Sequence, residues 1–153
     1  MSDTIRELII LDFVARGAVI RTGSPSNYHT DIGATVDRWR QHPIAPALNI
    51  WDRPEAGSKA YGMQKLTMPI LIEGTAAYGN AKAAVIAGRI LGDIIRAFMS
   101  PSWSRSPNYI DSIDYITGGT ENYPDEEDLI VGAYALFHVA YTTQVGDPDT
   151  CGG

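Results

Sequence analysis

The chain has 153 residues, 44% of them hydrophobic and 20% charged, with a net charge of −6 and a single cysteine. A chain of this length forms one domain and buries roughly 70% of the surface that its unfolded form exposes. The composition excludes whole-chain disorder, collagen-like repeats and coiled coil. No apolar run approaches the roughly 20 residues that cross a bilayer, and Cys151 alone builds no internal disulfide framework.

At the N-terminus, Thr4-Ile5-Arg6-Glu7 has the form of a capping box and opens an apolar run through Val14. Residues 1–6 mix acid and base and lack the basic-then-apolar order of a signal peptide. Ile5, Leu8, Ile9 and Phe13 share one helical face, Arg6 and Glu7 turn away from it, and Gly17 is the expected stop. Thr22 to Asn27 is a loop on composition, and Tyr28 to Trp39 suits two short strands broken around Gly33. Pro43 and Pro46 bracket a turn before a strand over Ala47–Trp51. The stretch from Asp52 to Gly62 contains Pro54, Gly57 and Ser58 without periodicity and reads as an extended loop. Gln64, Leu66, Met68, Ile70 and Ile72 then alternate with their neighbours as a strand with one buried face. Pro69 cannot donate to a ladder, which places that strand at an edge or gives it a bulge.

Asn80 to Ser100 predicts a long helix with an apolar stripe of Ala84, Ala87, Leu91, Ile95 and Phe98, widened by Ile94. Lys82, Arg89, Asp93 and Arg96 line another face, and Gly88 and Gly92 are spaced to let a second element approach. Two strands follow, over Tyr109–Thr117 and Leu129–Thr142, joined as a hairpin through Gly118-Gly119 and an acidic segment. The second strand sets Leu129, Val131, Ala133, Ala135, Phe137, Val139 and Tyr141 on one face. Its length is well beyond the usual five or six residues, so it is expected to project from its sheet and pair with another chain. The expected fold class is α+β: an antiparallel-rich mixed sheet, an N-terminal helix and one long helix packed on it, and a long C-terminal β-hairpin. Residues 1–149 form the one domain, and 150–153 a flexible tail.

Charge is divided along the chain. Residues 106–153 carry nine acids and no base, giving −9, whereas residues 1–105 carry nine acids and twelve bases, giving +3. The densest acidic run, Asp125, Glu126, Glu127 and Asp128, is either a solvated loop or a surface that repels nucleic acid or docks a basic partner. The pairs Arg38/Arg40 and Arg89/Arg96 are too small for a DNA-binding patch.

The residue types that carry chemistry do not converge in sequence. His29, His42 and His138 have no metal-ligand spacing, and zinc needs three or four ligands. Cys151 lies in a Gly-Gly tail without the support that an oriented thiolate requires. There is no nucleophile elbow, no phosphate-binding loop and no dinucleotide fingerprint. Asp111 and Asp114, three apart in a strand, are expected on opposite faces. Trp39, Trp51, Tyr109, Tyr115, Tyr134 and Tyr141 fall on predicted strands, where aromatics serve packing. The expectation is of no catalytic residue, no cofactor and no metal.

Several segments taken in order carry a resemblance. Tyr28-His29-Thr30-Asp31-Ile32-Gly33 is followed by Pro46-Ala47-Leu48-Asn49-Ile50-Trp51-Asp52 and Arg53-Pro54-Glu55. Ile70-Leu71-Ile72-Glu73-Gly74 precedes a helix with Ile90-Leu91-Gly92-Asp93-Ile94-Ile95-Arg96-Ala97. The chain closes with Gly118-Gly119, an acidic segment, Val131-Gly132-Ala133-Tyr134, Tyr141-Thr142-Thr143 and Gly146-Asp147-Pro148. This order resembles the tail terminator (minor tail, tail completion) proteins of long-tailed bacteriophages, of the lambda-type terminator fold, over residues 3 to 149. The motifs are weak singly, and their order and spacing carry the likeness.

The resemblance implies a non-enzymatic virion protein, made in the bacterial host cytoplasm. It would cap the tail tube as a homohexameric ring, stop tube growth and offer the head–tail joining surface. Its partners would be further copies of itself, the tail tube protein and the neck or connector proteins. DNA would pass through the ring without specific binding, and no membrane is involved. On this basis Arg53, Glu55, Lys59, Tyr134 and Tyr141 are candidate interface residues. Asp125, Glu126, Glu127 and Asp128 are candidates for the lumen or an axial surface. Two alternatives stand beside it: another neck or head–tail connector protein, and a small ligand-binding or enzymatic α+β domain.

Overall fold

The computed structural model describes residues 3–41, 44–79, 82–100, 110–122 and 129–152. Its elements, in chain order, begin with helix α1 (Ile5–Ala18), a 3-10 turn (Ile32–Ala34) and strands β1 (Val36–Arg38), β2 (Ala47–Asp52), β3 (Ala56–Ala60) and β4 (Met63–Ala77). Helix α2 (Ala83–Phe98) and strands β5 (Ile110–Asn122), β6 (Ile130–Gln144) and β7 (Asp147–Cys151) follow. The fold is α+β. The seven strands form one sheet in the order β1-β2-β4-β6-β5, with β3 paired to β4 and β7 to β6. Only β1 and β2 run parallel; every other pairing is antiparallel.

Alternation along the central strands decides which face is buried. Met68, Ile70 and Ile72 of β4 share a face with Val131, Ala133, Ala135, Phe137 and Val139 of β6, through register pairs such as Ile70 with Phe137. Leu48 and Ile50 of β2 extend that face. Both helices cover it. Ile5, Ile9, Ile10 and Phe13 of α1 and Ile90, Ile94, Ala97 and Phe98 of α2 belong to the same buried cluster. A chain of rings crosses from helix to sheet, Phe13 to Phe98 at 5.2 Å and Phe98 to Phe137 at 5.6 Å.

Helix α1 starts as expected, with Thr4 Oγ1 accepting the Glu7 N–H at 3.1 Å. The reciprocal arm of a capping box is not made, because the Glu7 carboxylate instead takes the Arg38 guanidinium at 2.8 Å. Gly33 lies hard against the end of this helix. A Cβ there would meet the Gly17 carbonyl at 2.4 Å and the Ile20 backbone under 3 Å. That close approach explains why the segment around Gly33 is a turn flanked by one short strand rather than two strands.

Several expectations are corrected. The stretch from 52 to 62 is not an extended loop: Ala56–Ala60 is β3, a full ladder with β4 from Thr67 back to Met63. Its turn, Tyr61-Gly62, has φ of 51° and 78°, both left-handed as a two-residue hairpin requires. Backbone pairing with an already formed strand outweighs the weak strand propensity of Ala-Gly-Ser-Lys-Ala. Strand β6 does not project, because β4 matches it residue for residue from Met63/Gln144 to Ala77/Ile130 and β5 borders its other side. The stripe on α2 is rotated from the expected one, with Ala87, Ile90, Asp93, Ile94, Ala97 and Phe98 buried and Ala84 exposed. Asp93 is therefore not on a solvated face. Gly88 and Gly92 have nothing within 4 Å of a notional Cβ, so no described element uses their spacing. Thr150 and Cys151 are part of β7, paired with β6, so the chain from 150 does not begin as a free tail.

Candidate assembly surface

Pro69 marks where the sheet divides. It sits within β4, an interior strand, but its carbonyl accepts the Arg53 N–H at 2.8 Å on the side where β2 ends and β3 has not begun. A strand residue directs its N–H and C=O to the same side. The missing donor therefore faces the break rather than a ladder.

Behind that break lies the densest charge network of the described residues. Asp52, whose side chain is 1% exposed, accepts Arg38 Nε at 2.9 Å and Nη2 at 3.0 Å, and Arg6 Nη2 at 2.9 Å. Burial pushes its carboxyl up, but the Arg38 and Arg6 guanidiniums outweigh that and hold it below the ordinary carboxylate value. Arg6 also donates to the Arg53 carbonyl at 2.9 Å and lies 3.6 Å from Glu55. Tyr141 donates its hydroxyl to Glu55 Oε2. Burial and that neighbouring carboxylate raise the Tyr141 phenol far above its usual range.

This network tells where the candidate interface residues stand. Arg53 and Glu55 are exposed and are brought together through Arg6; Lys59 is exposed on β3. Tyr141 is 2% exposed on the helix-covered face, and its hydroxyl is engaged within the chain, so it is not an interface residue. Tyr134 lies apart from them, half-buried on the opposite face, with its ring over Gly119. Asp125, Glu126, Glu127 and Asp128 lie outside the described residues, as does His42.

Among the described residues no helix packs on the face opposite α1 and α2. Trp51, Leu71, Leu136 and Thr117 line up in register across β2, β4, β6 and β5, and Pro69, His138 and Asp114 form the next row. Trp51, Pro69, Leu71, Leu136 and His138 are only half-buried, and no described element packs over them. The Trp51 indole N–H and the Thr75 hydroxyl on this face have no hydrogen-bond partner among the described residues. Glu73, on the same face, has its carboxyl raised by burial and by the charge of Glu121, with Arg53 opposing.

At one end of this face, Ser58, Lys65, Thr67, Asp111 and Thr142 border a groove of about 440 Å³. The Thr142 hydroxyl donates to Asp111 at 2.7 Å. A bulge between Ile110 and Ser112 swings Asp111 to the face that Asp114 occupies, against the expectation that the two point apart. The bulge breaks the two-residue period, and nothing in the sequence marks it.

The other polar groups serve the fold. The Asp93 carboxylate accepts the N–H groups of His29 and Thr30 at 3.1 Å and 2.8 Å and the Thr30 hydroxyl at 2.7 Å. Asp31, in the stretch expected to form a strand before Gly33, is instead held by Thr22 and Arg21, and the Thr22 N–H lowers its carboxyl. Cys151 is an exposed free thiol. Among the described residues no three His, Cys, Asp or Glu side chains are grouped to hold a metal, and no helix is long and apolar enough to cross a membrane.

No protein-family model matches the chain, and no curated protein matches it.

Proposed function

We propose that this chain is a tail terminator of a long-tailed bacteriophage or prophage, a structural protein that caps the tail tube as a homohexameric ring. The observation that carries the proposal is a sheet with helices on one face only, the opposite face and the outer edges of β3 and β5 being left without a partner in the described chain. A sheet face carrying half-buried apolar side chains, together with unpaired strand edges, is the equipment of an assembling subunit. The order and spacing of segments noted in the sequence point the same way. In this proposal the ring stops tube polymerisation and meets the neck or connector proteins in the virion, and DNA passes without specific binding. The run from Asp125 to Asp128 lies at the lumen or an axial surface, where acid repels phosphate.

The test is co-assembly with tail-tube protein, followed by light scattering and by electron microscopy of tails. Six copies at the head-proximal tip, and overlong tails when the gene is removed, are expected. Absence from the tip, or any symmetry other than six, overturns the proposal.

A further inference from the structure

Among the described residues, two of the sheet's outer strands, β3 and β5, are matched in direction and in charge. In the described chain β3 pairs with β4 alone and β5 with β6 alone, and every step along the path β3-β4-β6-β5 is antiparallel. Four strands in antiparallel sequence alternate in direction, so β3 and β5 run opposite ways. A rotation about an axis lying along the strands carries one copy to the next without reversing any of them. Such a rotation sets β3 of one copy antiparallel to β5 of its neighbour, which is the favoured pairing. The same step repeats head to tail and closes when the rotation divides a full turn.

Charge favours this pairing through Lys65, which lies on the same face as Asp111 and Asp114, whereas Lys59, opposite Gln64, lies on the other face. The β3–β4 hairpin, residues 56–67, carries Lys59 and Lys65 and no acid; β5, residues 110–122, carries Asp111, Asp114 and Glu121 and no base. Pairing β5 with β5, or β3 with β3, sets like charges together across the junction, which disfavours a two-fold contact. Neither edge is protected by proline. Tyr115 and Ile116 stand exposed along β5, and the fully exposed Tyr61 stands at the tip of the β3–β4 hairpin. We infer that a second copy of this chain occupies each edge, β3 of one subunit pairing with β5 of the next, so that the sheet continues from subunit to subunit. The inference deepens the ring proposal and rests on it; it assigns the contact to β3 and β5 rather than to β6.

Three exposed positions on the open face test it: Ser58 on β3, opposite Lys65, and Ser112 and Thr117 on β5, opposite Ala140 and Leu136. In a Cys151→Ser background, Ser58→Cys is prepared separately from Ser112→Cys and Thr117→Cys. The variants are then mixed with tail-tube protein and treated with a short bismaleimide, ring formation being followed by light scattering in the same samples. Because each chain carries one thiol, every product is intermolecular. Cross-linked dimers are expected when Ser58→Cys is mixed with a β5 variant, and not from any variant alone. Rings without that mixed product, or with β5 variants linking to themselves, overturn the inference and leave the ring proposal standing. Samples with no ring and no mixed product overturn both.

Discussion

Arg38 and Asp52 are joined as a fork, Nε to Oδ1 at 2.9 Å and Nη2 to Oδ2 at 3.0 Å, clamping the short edge strand β1 to the end of β2. Asp52 is nearly inaccessible while Arg38 remains a quarter exposed, so the two partners contribute unequally. Removing the carboxylate leaves Arg6 and Arg38 facing each other with only Glu7 and Glu55 to offset them. Asp52→Asn is expected to cost about 2 kcal/mol, read as a lowered denaturant midpoint at neutral pH.

The same group sets a pH dependence. Its folded carboxyl lies below the ordinary value of 3.8, so its contribution is fully present above that value and is lost as the pH falls through the lower folded value. The difference in stability between the parent and Asp52→Asn is expected to hold constant from neutral pH to about pH 5 and to shrink below pH 3.8. A difference that already vanishes at pH 5 would contradict the assignment.

Glu73 works in the opposite sense. Its folded carboxyl is raised above the ordinary 4.5 by burial and by Glu121, so the charged form weakens the fold above the raised value. Below 4.5 both folded and unfolded states are protonated and the penalty disappears. Glu73→Gln is expected to raise the thermal midpoint at pH 7 and to leave it unchanged at pH 3.5, measured by circular dichroism.

Gly33 has no room for a side chain against the Gly17 and Ile20 backbone. Because the obstacle is main chain rather than a movable side-chain end, Gly33→Ala is expected to destabilise by about 2 kcal/mol or more. Chemical denaturation checks this, with Gly23→Ala, which meets nothing within 4 Å, as the near-neutral control.

Tyr61 occupies a left-handed position, φ 51°, with its side chain fully exposed. Asparagine suits the first position of such a turn better and loses no packing here. Tyr61→Asn is expected to stabilise the free chain by roughly 0.5 kcal/mol while weakening assembly onto tail tubes. A variant that is less stable as the free chain would place the Tyr61 ring in the monomer fold instead.

What the amino-acid order determined by itself was whatever rests on local periodicity. The alternation from Val131 to Tyr141 and from Met68 to Ile72 specified two buried strand faces, and the Thr4 cap specified the start of α1. Both follow from the geometry of one strand or one helix turn, which needs no knowledge of neighbours. Tertiary structure alone decided the rest. Ala56–Ala60 is a strand because β4 offers it a ladder, and Asp93 is buried because the Thr30 turn supplies three donors with His29. Tyr141, in a strand read correctly, became a core residue rather than an interface one because Glu55 reaches its hydroxyl across 86 positions of chain. The free edge fell to β5 rather than β6 for the same reason: which strand lies outermost depends on pairings between distant segments, and the period of a single strand does not encode them.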